Sequence, residues 1–158
     1  ACGMGFVAHI KGCKSHQIIE DALTVLENLS HRGASGADEN TGDGAGIMLQ
    51  IPHDFFKREC GVLGFDLPEQ GQYGVGMLFA HRYDDFRHTQ MQTFEQIVNE
   101  EGQTILGWRE VPIDKTAIGE NAKSVMPRFI QVFIARDKAI CDPLDSKRSL
   151  YFGLGHKK

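Results

Sequence analysis

The hydrophobic residues of this chain fall into short runs, each of strand length, set between stretches whose apolar residues recur at helical spacing. That pattern restricts the fold to mixed helix and sheet. Residues 3–10, 45–51, 73–81, 104–111 and 128–136 read as strands, the second closed by Pro52. Glycines in the first run stand where a side chain would obstruct a close neighbour. Between the first two strands, Ser15 can cap a helix with Ile18, Ile19, Ala22, Leu23, Leu26 and Leu29 on one face, and Gly33 can end it. A short helix is expected at 54–59. A longer one at 86–101 carries Met91, Phe94, Ile97 and Val98 on one face and stops at Gly102. Residues 112–127, with Pro112, Gly119 and Pro127, read as a loop with one helical turn. The order β-α-β-α-β-α-β-β places the chain in the α+β class, with sheets covered by helices.

At 158 residues there is room for one domain or part of one. A formal charge of −4, with 17 basic and 21 acidic side chains intermixed, gives no basic stripe for nucleic acid or an anionic membrane. The apolar runs at 76–80 and 129–135 are far shorter than the roughly 20 residues that span a bilayer, and no signal-peptide pattern opens the sequence. A cytosolic protein is expected. Four cysteines, Cys2, Cys13, Cys60 and Cys141, lie far apart without a C-x-x-C pair, so no metal site is expected within this segment. Cys13, Cys60 and Cys141 read as structural or incidental thiols.

Cys2 is different because of its position. A cysteine thiol has a pKa of about 8.5 and is only slightly ionised at neutral pH. Once Ala1 is removed, however, the α-amine of Cys2, with a pKa of about 7.7–8.0, lies within reach of its own sulfur and can act as the base. One residue then supplies both nucleophile and proton shuttle for acyl transfer from a carboxamide, provided oxyanion donors are present. The competing reading is a buried strand cysteine with no chemical role. His31-Arg32-Gly33 reads on helix physics as a cationic, glycine-terminated helix end. The segment at 41–46, Thr-Gly-Asp-Gly-Ala-Gly, lacks both the P-loop lysine and the dinucleotide-binding spacing, and it leads into a strand. Its small residues suit a tight turn approached closely by another backbone.

Taken together, Cys2-Gly3-Met4-Gly5-Phe6, the Leu29 to Ala34 segment containing His31-Arg32-Gly33, and the Asn40 to Ile47 segment followed by Gln50 to Phe56 closely resemble glutamate synthase large subunits. Residues 106–112, Leu-Gly-Trp-Arg-Glu-Val-Pro, and residues 127–134 resemble the same family. An amino-terminal cysteine with a later His-Arg-Gly occurs across class II amidotransferases, whereas the 42–46 and 108–112 segments favour glutamate synthase. The resemblance runs from Cys2 to about Ala135 and fades over 137–158, which reads as a divergent or truncated tail.

That resemblance implies an Ntn-hydrolase fold, an αββα sandwich, incomplete in this chain, and hydrolysis of L-glutamine to glutamate and ammonia for glutamate synthesis from 2-oxoglutarate. Cys2 matches the nucleophile and Arg32 the arginine that positions it; Gly33, Asp43 and Gly44 match residues that shape the active site. No cofactor is implied for this segment. The full-length parent would carry FMN and an iron–sulfur cluster, with NADPH or ferredoxin as electron donor. Its partners would be the remainder of the large subunit and, in some forms, a small subunit. The family's oxyanion Asn-Gly pair and its glutamine clamp lie beyond the matching part, and no Asn-Gly occurs in this sequence. Two other readings follow: a catalytically inactive remnant acting as a structural or binding segment, and a class II amidotransferase of the amidophosphoribosyltransferase or asparagine synthetase type.

Overall fold

The computed structural model describes residues 3–30, 42 and 44–136. The chain divides into two compact units, one of residues 1–50 and 114–125, the other of residues 51–113 and 126–158. The sequence-expected tail at 137–158 lies outside the described residues.

In the first unit, helix α1 (Gln17–Asn28) forms where the hydrophobic spacing places it. Ser15 contributes at its start, its Oγ accepting a hydrogen bond from the Gln17 amide at 3.2 Å. The half-buried stripe is Ile18, Ile19, Ala22, Val25, Leu26 and Leu29, whereas Leu23 is 46% exposed. Steps of four, three and four residues from 18 to 29 keep one face, and position 23 turns about 100° away from position 22. Val25, not Leu23, therefore belongs to the packed stripe.

The other unit is built on a three-stranded antiparallel sheet in the order β1-β3-β2, from β1 (Tyr73–Ala80), β2 (Thr104–Glu110) and β3 (Arg128–Ala135). The central strand is the most buried; Val132 and Phe133 are fully enclosed. Because side chains alternate across a strand, these two neighbours serve opposite faces. Phe133 meets Phe56 and Cys60 of helix α2 (His53–Val62), together with Leu67 and Tyr73. Val132 and Ile134 meet Val98 and Phe94 of helix α3 (Asp84–Glu100).

Both helices end in the same way. Gly64 and Gly102 take φ of +87° and +70°, a region that costs glycine nothing sterically. After α2, the Phe65 and Gly64 amides donate to the Cys60 and Gly61 carbonyls; after α3, the Gln103 and Gly102 amides donate to those of Val98 and Asn99. Each is a Schellman motif that satisfies the last carbonyls of its helix. The first of them also aims the Phe65 ring at the sheet.

That ring lies over Gly107, where an added Cβ would stand 2.6 Å from two of its atoms. A bulge between Ile105 and Gly107 accompanies this close approach. Gly107→Ala is therefore expected to lower stability by about 1–3 kcal/mol, because the crowding comes from a packed aromatic ring and not from a flexible tip. Urea denaturation would read this as a lower midpoint at unchanged slope.

Only one sheet is present among the described residues, where two were expected. Residues 3–9 and 44–50 are in no helix or strand. Helix α4 (Glu120–Val125) supplies the turn of helix anticipated between the prolines.

Candidate active site

Among the residues singled out by sequence, Cys2, Arg32, Gly33 and Asp43 lie outside the described residues. Gly44 is exposed, and a Cβ built there would meet nothing within 4 Å. The described chain nevertheless shows how the segments bordering Cys2 and Arg32 are held. An added Cβ on Gly3 would stand 3.0 Å from Leu29 Cδ2, and one on Gly5 would stand 2.6 Å from Val25 Cγ1. The extended chain thus lies directly on α1, and the glycines are what permit it. Gly3 directly follows Cys2, and Leu29 comes three residues before Arg32. Met4 and Phe6 alternate to the other side, 94% and 93% exposed.

The Trp108-Arg109 pair, conspicuous in sequence, has structural partners. Trp108 Nε1 donates to Glu95 Oε1 at 2.9 Å, and its ring meets Phe94 edge-on, which fastens α3 to its face of the sheet. Arg109 faces the other way. Its Nη2 donates to Glu59 Oε2 at 2.7 Å and its Nη1 to Gln131 Oε1 at 3.0 Å, and the guanidinium lies 5.5 Å from the centre of the Phe55 ring. With 8% of its surface exposed and these partners in place, Arg109 secures α2 to the sheet. Sequence reasoning singled out the segment but not this role; an arginine alternating with a tryptophan inside a strand is the signal that two faces are being served.

Three further chemistry-bearing groups, His53, Cys60 and Tyr73, lie together at the core. His53 Nδ1 and the Tyr73 hydroxyl share a 3.0 Å hydrogen bond. Burial pushes the Tyr73 phenol up, helped by the nearby Cys60 and Asp54. Burial likewise pushes the Cys60 thiol up; Arg109 opposes this and Glu59 adds to it. A thiol held in its neutral form is a poor nucleophile. Cys13, by contrast, is exposed. A thiol-specific alkylating reagent is expected to modify Cys13 in the folded chain and Cys60 only after denaturation, as read by peptide mapping. Equal labelling would contradict the core placement of Cys60.

The raised values also set a pH dependence. Cys60 and Tyr73 hold their protons more tightly folded than unfolded, so their contribution is intact below the ordinary thiol range and is lost as pH rises through the thiol and phenol ranges. The thermal midpoint is expected to fall along that alkaline limb, and less steeply in Cys60→Ala.

No group of three or more His, Cys, Asp or Glu side chains is arranged to hold a metal ion among the described residues. No helix there is long and apolar enough to cross a membrane.

Comparison with known proteins connects these observations. The family described as class II glutamine amidotransferases matches residues 2–154. The chain is 42% identical to the “Glutamate synthase [NADPH] large chain” of Bacillus subtilis over 151 residues, covering 96% of this chain and 10% of that protein. It is 41% identical to the “Ferredoxin-dependent glutamate synthase 1, chloroplastic/mitochondrial” of Arabidopsis thaliana over 154 residues, covering 96% of this chain and 9% of that one. With the “Glutamate synthase [NADH]” of Schizosaccharomyces pombe the identity is 43% over 131 residues, 83% of this chain and 6% of that protein. The chain spans about a tenth or less of the length of these curated relatives. By the extent of the family match, the chain belongs to the class II glutamine amidotransferases, and the relatives it resembles within that family are glutamate synthases.

Proposed function

We propose that this chain contributes the nucleophilic part of a glutaminase site, in which Cys2 attacks the side-chain carboxamide of L-glutamine. The observation that carries the reading is the start of the family match at residue 2, the cysteine itself. In this mechanism the Cys2 sulfur adds to the amide carbon and its own α-amine passes the thiol proton to the departing ammonia. A thioester remains, which water cleaves to glutamate. With any residue attached before it, the nitrogen of Cys2 is an amide without a basic lone pair, so this mechanism needs the Cys2 α-amine to be free.

Arg32 holds the region of the nucleophile through its guanidinium fork, and Gly33, Asp43 and Gly44 shape the surrounding loop. The reading is supported by the contact of Gly3, which follows Cys2 in sequence, with Leu29, three residues before Arg32. An Ntn-hydrolase sandwich is the architecture this reading implies. The ammonia would serve glutamate formation from 2-oxoglutarate in a longer parent enzyme, whose oxyanion donors come from residues outside this sequence.

The test is covalent capture. A chloroketone analogue of glutamine, incubated with the processed parent enzyme, is expected to add one equivalent to Cys2, with glutamine protecting. Intact mass would show both the adduct and the loss of Ala1. Labelling at another residue, or full activity with Ala1 retained, would overturn the assignment.

A further inference from the structure

We draw no further inference here: the strongest candidate, the apolar patch of Met77, Phe79 and Phe129 at one end of the sheet beside the outer edge of β1, is an unpartnered face, and nothing in the structure shows what covers it.

Discussion

Replacing Cys2 by alanine in a complete, processed parent enzyme is expected to lower glutamine hydrolysis by at least about 10⁴-fold, while leaving the Michaelis constant nearly unchanged. The α-amine survives this substitution, so what disappears is the sulfur that makes the covalent bond. Oxyanion donors and substrate contacts would still bind glutamine, which is why the loss falls on turnover and not on binding. The same variant, supplied with an ammonium salt, is expected to go on making glutamate from 2-oxoglutarate, because the second reaction needs ammonia and not its source. Steady-state assays with glutamine and with ammonium would separate the two. Hydrolysis that survives the substitution would remove Cys2 from the mechanism.

Truncating Phe133 to alanine is expected to cost about 3–5 kcal/mol, a large share of the roughly 5–15 kcal/mol that keeps a domain folded. Phe133 is fully buried at the centre of the sheet, and its ring meets Phe56 edge-on at 5.1 Å, with Phe65 at 5.6 Å and Tyr73 at 6.5 Å. The cavity would open among aromatic rings fixed by strand, helix and Schellman turn, so little collapse is available to offset it. Phe79→Ala makes the control, since that ring is 68% exposed and its loss is expected to stay within about 0.5 kcal/mol. Equilibrium denaturation of both variants checks the contrast. Similar midpoints would mean that the core is not organised around Phe133.

Much of this organisation is legible in the residues. The strand readings at 73–81, 104–111 and 128–136 each fall within one residue of β1, β2 and β3, because their apolar content and flanking turns leave few alternatives. Gly102 ends α3 as expected, since a left-handed residue is needed there. The helix expected at 54–59 runs from His53 to Val62, and Gly64, in the left-handed region, ends it. The runs at 3–10 and 45–51 were expected as strands, but a strand is defined by its partner, and local sequence does not supply one. Glycines 3 and 5 were read as room for a neighbour; that the neighbour is α1 follows from packing, which no periodicity reports. The proposed site residues rest on family resemblance, not on physics, since a cysteine, an arginine and a glycine-rich turn are each ordinary alone.

Three consecutive residues of β2 divide their attention: Gly107 admits the Phe65 ring, Trp108 reaches Glu95, and Arg109 reaches Glu59. If the strand slipped by one position against β3, the indole would face α2 and the guanidinium would face the apolar side of α3. Both changes would be costly at once, one by crowding and the other by stranding a charge among Val98, Val132 and Ile134. The segment therefore works as a key cut on both edges: a misaligned sheet can seat neither helix.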